Sequence, residues 1–319
     1  MMHGFPLFPP SASTAAPRVD ALFTALMIMT VVFSALIFLA IAFFAIRYRE
    51  GSKANRDNPR SESMPLELTW MIVPLCISFG FYFWASTLYT GMHVAPPGAV
   101  DIYVVGKQWM WKIQHQQGNR EINELHVPMG RPVRLIMTSQ DVIHSFFIPA
   151  FRIKQDVLPG RYTTEWFQAT KPGEYHLFCA QFCGTSHASM VGRVVVMEPA
   201  EYERWLAGAA PGVPMAGAGE ELFQQFGCAT CHQANNTGRG PSLAGLSGST
   251  VELEGGGTVV ADREYIRESI LDPAAKVVRG YKPVMPVFRG QLTPEQVAQL
   301  VEYVRSLGGP RVASKGGRP

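Results

Sequence analysis

Two long runs without a single charged side chain constrain this chain more than any other feature. Ala21 to Ile46 and Leu68 to Tyr89 contain no Asp, Glu, Lys or Arg. As helices rising 1.5 Å per residue they would reach ~39 Å and ~33 Å, enough to cross a bilayer with some tilt. The first run exceeds the apolar core of a secretory signal, and residues 1–20 carry one basic residue, Arg18, so a retained helix is expected rather than a cleaved leader. Pro74 falls near the start of the second run, where neighbouring helices tolerate a kink, and Tyr82, Trp84 and Tyr89 suit an interfacial aromatic belt at its end. Between the runs lie Arg47, Arg49, Lys53, Arg56 and Arg60. The excess of positive charge puts this loop on the cytoplasmic side, so both termini and everything after Tyr89 face outward.

The outer part divides by composition. The expected boundaries are an outer segment over 1–20, membrane helices over 21–46 and 67–90, and a cytoplasmic loop over 47–66. Residues 91–98 make a short Pro/Gly linker, and 99–199 read as a β-sandwich of short strands with Gly and Pro punctuation. Strand text stands at 100–105, 109–113, 133–137, 162–167, 174–178 and 193–197. A linker rich in Gly, Ala and Pro over 200–216 opens with a short helical piece around Tyr202 and Trp205. Residues 217–309 read as helical. Their best-marked helix starts at Thr293-Pro294-Glu295-Gln296, a capping box with Pro at the first helical position. The tail, 310–319, is expected to be disordered. The net charge of +3 is too small to argue for nucleic acid.

The chemistry concentrates in Cys179-Ala-Gln-Phe-Cys183-Gly-Thr-Ser-His187-Ala-Ser-Met190. Two thiols, an imidazole and a thioether are ligands suited to copper. A disulfide between Cys179 and Cys183 is the plainer alternative in an oxidising space, but it does not need His187 and Met190 at fixed offsets. His144 is the candidate for a further ligand from the same rim. His126 and His176 sit in strand-like text and read as structural; His93 and His115 read as surface or linker residues. A single copper uses one thiolate with two histidines and a weak Met. Two thiolates match a binuclear site better: both sulfurs bridge two ions, His144 and His187 take one each, and Met190 and the backbone carbonyl of Gln181 fill the weak positions. Such a closed set has no place for a substrate and suits electron transfer.

A second motif, Cys228-Ala-Thr-Cys231-His232, has the spacing of covalent c-type haem attachment, with His232 as an axial ligand. Zinc would need two more ligands, and no Cys or His follows His232. Met285 is the one Met after residue 231 and is the expected sixth ligand, a pairing that raises the haem potential. The fifth cysteine, Cys76, lies in the second apolar run.

The copper motif resembles the copper-A domain of cytochrome c oxidase subunit II. The likeness extends to Gln108-Trp109-Met-Trp111, Asp141-Val-Ile-His144-Ser-Phe, Lys154-Gln-Asp156-Val-Leu-Pro-Gly-Arg161 and Glu67-Leu-Thr-Trp70-Met-Ile-Val-Pro74. Residues 217–308 resemble a class I cytochrome c domain, so the whole is similar to the fused subunit of caa-type oxidases. The resemblance implies a multidomain membrane protein: a two-helix transmembrane hairpin, a Greek-key cupredoxin sandwich and an all-α cytochrome c domain. It implies electron entry at Trp109, although Trp109 could equally serve to pack the sandwich, and a proton-path role for Glu67 that an ordinary interfacial acid would mimic. It also implies a bacterial plasma membrane location with the outer domains periplasmic. The implied partners are oxidase subunits I and III, membrane lipid, and cytochrome c or a quinol-oxidising complex as donor. Many members carry Glu where this chain has Gln181; a neutral amide is a poorer ligand for the magnesium ion those members share with subunit I.

The leading expectation is therefore electron entry to an oxidase that reduces O2 to water and translocates protons. A copper-A-containing nitric oxide reductase subunit, and a stand-alone electron carrier or copper-delivery protein, are the alternatives. Nitrous oxide reductase fits less well, because no propeller domain or second His-rich cluster is present.

Overall fold

The computed structural model describes residues 8–55, 62–208, 213–234 and 238–308. The expected disordered tail, and Arg56 and Arg60 of the basic loop, lie outside the described residues.

Two helices, α1 (Ala16–Arg47) and α2 (Met64–His93), take in both uncharged runs. Their apolar side chains point outward, with Phe38 70% exposed and Phe83 63%, as helices surrounded by lipid require. Pro17 in the first turn of α1 and Pro65 in that of α2 lack an N–H where none is needed.

Ten strands follow: β1 (Val100–Lys107), β2 (Met110–His115), β3 (Arg120–Ile122), β4 (Glu124–Pro128), β5 (Pro132–Ser139), β6 (His144–Ile148), β7 (Ile153–Val157), β8 (Thr163–Gln168), β9 (Gly173–Cys179) and β10 (Val191–Met197). They form two five-stranded sheets, ordered β3-β2-β1-β5-β8 and β4-β10-β9-β6-β7. The chain changes sheets between β3 and β4 at Asn123, whose φ of 57° allows the sharp corner. Asn123 Oδ1 accepts from the Trp111 N–H at 2.7 Å and holds the corner on β2. Ile102, Val104, Trp111, Leu135, Phe146, Leu177 and Val194 meet between the sheets with almost no exposure.

β1 and β5 are buried on both faces. Ile102 and Leu135 face the sandwich core, while Tyr103 and Ile136 face outward into a second cluster with Met215 and Ala298 of the following domain. That explains why β1 reads as an apolar run rather than a strict alternation.

Three anchors tie the sandwich to the membrane helices. Ala12 N–H donates to Ala150 O at 3.0 Å, Asp20 takes Arg152 through both carboxylate oxygens (2.8 and 3.0 Å), and Trp166 Nε1–H donates to Gly91 O at 3.1 Å.

After β10, α3 (Pro199–Gly208) packs Tyr202 and Trp205 against the sandwich. His115, expected at the surface or in a linker, is instead 1% exposed beneath this helix. Its Nε2 pairs with Glu121 at 2.7 Å and its Nδ1 lies 3.1 Å from the Tyr202 hydroxyl. A polar residue at the end of β2 looks exposed until α3 folds over it. His126 shares the same carboxylate through Nδ1 at 2.5 Å and stacks on Trp205, the structural role expected of it.

The last domain contains α4 (Met215–Gln225), α5 (Arg263–Leu271) and α6 (Pro294–Ser306). It also carries a small hairpin, β11 (Thr250–Glu252) with β12 (Thr258–Val260). The α6 capping box is formed by Thr293 and Gln296. α4 crosses α6 at Gly219, where a Cβ would lie 2.1 Å from Gln299 O; only glycine permits that approach.

Candidate copper and haem sites

The copper-type loop joins β9 to β10. Cys179 ends β9, and Met190 immediately precedes β10. Cys179 N–H donates to Met190 O at 3.2 Å, which closes the loop on itself. His144 arrives from the start of the neighbouring β6 and is fully buried. Gly106 makes room for it: a Cβ there would lie 2.9 Å from His144 Cδ2. His144 Nε2–H donates to Asp141 Oδ1 at 2.8 Å. This bond fixes the tautomer and leaves the Nδ1 lone pair facing Cys179 Sγ at 3.9 Å.

The remaining expected ligands form a connected set. Cys179 and Cys183 sulfurs are 3.8 Å apart, too far for a disulfide. Cys183 Sγ lies 3.4 Å from His187 Nδ1 and 3.8 Å from Met190 Sδ, and the Cys179 thiol is 3.2 Å from Gln181 O. Two thiolates this close would be able to hold a common metal ion between them. The donor set of sulfur, imidazole and carbonyl fits copper. Burial opposes ionisation of Cys179, but hydrogen bonding to His144 and the Ser145 backbone outweighs it and lowers the pKa. Burial and the charge on Cys179 push Cys183 the other way.

Trp109 packs beside this loop. Gly184, at φ +117°, lets it approach: a Cβ would be 3.3 Å from the Trp109 ring and 2.9 Å from Gln108 Nε2. The Gln108 side chain donates to Cys183 O at 2.8 Å, and its backbone N–H to Asp141 Oδ2 at 2.8 Å. Phe182 stands 75% exposed at the loop tip, and the Gln181 side chain is exposed beside it. Glu67 is remote from this site, in the first turn of α2 at the opposite end of the membrane hairpin.

In the helical domain α4 ends at Gln225 with Phe226 as its cap, and Gly227 turns the chain with φ 69° into a single helical turn carrying Cys228. Cys228, Cys231, His232 and Met285 all line one cavity of about 560 Å3. Its walls are apolar, with Phe223, Leu246, Ile266, Leu300 and Val304 among them. His232 Nδ1–H donates to Pro241 O at 2.8 Å, which frees Nε2 for a metal. Gly240 cradles the ring, since a Cβ there would meet His232 Cε1 at 2.8 Å. An apolar slot with one oriented imidazole, a thioether and two thiols fits a haem.

The supporting residues Gly106, Asp141, Gly184, Gly240 and Pro241 were not singled out from the sequence as site residues. Only Asp141 carried a signal, its place three residues before His144.

Comparison with known proteins agrees with this architecture. Residues 2–83 match the family described as Cytochrome C oxidase subunit II, transmembrane domain, and residues 101–198 its periplasmic domain. Residues 216–308 match Cytochrome c. The first of these matches makes the chain membrane-anchored, and the other two imply copper A and haem. Cytochrome c oxidase subunit 2 of Synechocystis sp. is 30% identical over 66% of this chain and 77% of that protein. The subunit 2 of Alkalihalophilus pseudofirmus is 28% identical over 88% and 86%. Among solved structures, the periplasmic domain of oxidase subunit II of Bradyrhizobium japonicum has 32% identity, covering 36% of this chain and 96% of that one, with a TM-score of 0.35. The chain therefore belongs to the cytochrome c oxidase subunit II family, as an oxidoreductase subunit with a cytochrome c domain fused behind its copper domain.

Proposed function

We propose that this chain is the electron-entry subunit of a haem–copper oxidase, taking electrons from an external donor and delivering them to haem in a separate subunit I, where O2 is reduced to water with proton translocation. When bound, the haem and a pair of copper ions supply the one-electron centres of the route. Cys228 and Cys231 would attach the haem covalently, and His232 and Met285 would hold its iron. Cys179 and Cys183 would hold the copper ions, together with His144, His187, Met190 and the Gln181 carbonyl. Trp109 serves electron entry at the copper loop.

The observation that carries this reading is the closure of the sulfur–imidazole cluster. His144 and Met190 are fully buried, Cys179 and Cys183 are 8 and 3% exposed, and His187 is half-buried at the edge, so the cluster suits a carrier that holds its shape. Asp141 holds His144 from behind, and Pro241 does the same for His232. Preset ligands limit rearrangement when charge changes, and the apolar walls around His232 exclude water.

The basic loop after α1 argues for a cytoplasmic hairpin turn, with both outer domains on the periplasmic side of a bacterial plasma membrane. Subunits I and III and lipid are the partners within the membrane, and cytochrome c or a quinol-oxidising complex is the donor. Glu67, near the cytoplasmic start of α2, is assigned to the mouth of a proton path in subunit I. Gln181 leaves the magnesium site shared with subunit I poorly provided for.

The test is a metal count and EPR of the purified complex, together with O2 and NO consumption. Two coppers sharing one unpaired electron, one covalent haem c and O2 turnover are expected. NO turnover without O2 turnover would assign the chain to a nitric oxide reductase; a chain that purifies alone, without oxidase activity, would be a carrier or delivery protein.

A further inference from the structure

The cytochrome domain rests on the outer face of the sheet that contains β1 and β5, and the contact is built around one arginine. Asp101 and Arg134 are cross-strand partners on β1 and β5, joined by two hydrogen bonds of 2.6 and 2.8 Å. Arg263, at the start of α5, adds a second guanidinium to Asp101 from the other domain. Its Nε lies 3.3 Å from both the Tyr103 hydroxyl and Glu302 Oε1. Tyr103 O–H donates to Glu302 Oε1 at 2.6 Å. The groups are withdrawn from water: Asp101, Glu302 and Arg263 side chains are 7, 11 and 17% exposed, and Tyr103 is 3% exposed.

Around this centre the contact continues. Lys112 pairs with Glu295 at 2.8 Å, Tyr162 N–H donates to Glu264 Oε2 at 3.2 Å, and Arg267 sits over the Tyr162 ring at 5.5 Å. Met215 N–H donates to Gln116 O at 3.0 Å, so α4 is anchored to the sandwich at its first residue.

Helix geometry separates this contact from the haem cavity. On α6, Glu295, Ala298, Glu302 and Arg305 recur at spacings of three and four and form one stripe. Leu300 and Val304, which line the cavity, lie two residues beyond Ala298 and Glu302 and so point about 200° away. The domain is thus held by the back of α6 together with the start of α5 and the first residue of α4. Lys282, Pro283, Val284 and Pro286, exposed around Met285, line the cavity on the loop between α5 and α6.

We infer that the Asp101–Arg263–Glu302–Tyr103 network is a docking latch that holds the cytochrome domain in one fixed pose on the copper domain, with its cavity mouth left open to the external one-electron donor. The domain is a docked module rather than a carrier swinging on the segment that follows α3. Arg263 is the keystone because it is the guanidinium that joins Asp101 of the copper domain to Glu302 of the cytochrome domain; Arg134 on Asp101 and Arg305 on Glu302 each pair within one domain. The rate part of the test rests on the proposed electron route; the docking part does not.

The test uses the purified holo-complex, nitration of Tyr103 by tetranitromethane mapped by mass spectrometry, and the rate of haem-to-copper electron transfer after photoreduction. One variant is Arg263→Ala; the other inserts ten Gly/Ser residues within 209–212. Haem and near-infrared copper absorbance establish that each variant is folded and loaded. The latch predicts a shielded Tyr103 in the wild type and a rise in nitration of about tenfold or more in Arg263→Ala, as expected when one partner of a buried charge network is removed. It also predicts that the insertion changes neither nitration nor transfer rate. A reactive Tyr103 in the wild type, or a transfer rate that falls with linker length as effective concentration falls, would overturn it. Shielding of Tyr103 without haem-to-copper transfer would leave the latch standing and remove the proposed route instead. If Arg263→Ala fails to load haem, the insertion variant alone decides by the same two readouts.

Discussion

Asp141 and His144 are bonded at 2.8 Å through Nε2, so the other ring nitrogen of His144 can only face the two sulfurs. The orientation of His144, the proposed copper ligand, is therefore set by its neighbour Asp141. Burial favours the neutral acid, but hydrogen bonds from the Gln108 N–H and His144 keep the Asp141 pKa below its usual value.

Replacing Asp141 with Ala should weaken copper binding by about 10–100-fold, the usual effect of removing such a support. Copper titration followed by EPR measures it, and haem absorbance should be unchanged. Equal copper affinity in Asp141→Ala would show that packing alone orients His144.

Gly184→Ala should displace Trp109 and cost about 1–3 kcal/mol, because the new Cβ meets Gln108 and Trp109 in a backbone conformation that side chains rarely adopt. Thermal unfolding of the outer domains and the copper spectrum report it. The copper signal should shift even where the protein remains folded.

Glu165 on β8 is buried, its Oε2 has no hydrogen-bond partner, and burial pushes its pKa up to about 8. Below about pH 4.5 the carboxyl is protonated in both folded and unfolded chains and has no pH-dependent effect. As pH rises towards 8 the unfolded chain ionises first, so the native state loses stability relative to a neutral side chain; above that the penalty is constant. Glu165→Gln should thus stabilise the protein by an amount that grows from pH 4.5 to 8, reaching a few kcal/mol. Denaturant melts of both proteins across that range give the curve, and a pH-independent difference would contradict it.

Glu121 shows the opposite sign. Burial pushes its pKa up, but hydrogen bonds from His115 and His126 more than compensate and hold it below the usual carboxylate value. Its contribution is complete above the unfolded-chain pKa and disappears as pH falls through the lowered folded value. Glu121→Gln should cost about 1–3 kcal/mol at neutral pH and loosen α3. Trp205, stacked on His126, is the natural fluorescence reporter, and the wild type should approach the variant in acid.

The candidate clusters were legible in the sequence where they are local. Cys179, Cys183, His187 and Met190 fall on one short loop, so spacing alone singles them out, and the same holds for the candidate haem motif from Cys228 to His232. His144 required the idea of a shared rim. β3, β4, β6 and β7 had no separate strand signal because each spans five residues or fewer. The small β11–β12 hairpin likewise left no mark in a stretch expected to be helical. Tyr103 and Ile136 read as ordinary strand residues because an apolar side chain carries the same pattern under a neighbouring domain as in a core. His115 was misread for the related reason that its cover, α3, comes from more than eighty residues downstream.

The anchors fall in two groups: Ala12 and Asp20, at the start of α1, both hold the turn at residues 150–152, and Trp166 holds Gly91 at the end of α2. A body held at two places can rock only about the line between them, and the backbone bonds of Ala12 and Thr14 with residues 168–170 oppose that rotation. The tip of the copper loop at Phe182 is thereby held at a constant heading relative to α1 and α2, so a partner that grips those two helices would meet the same surface at every encounter.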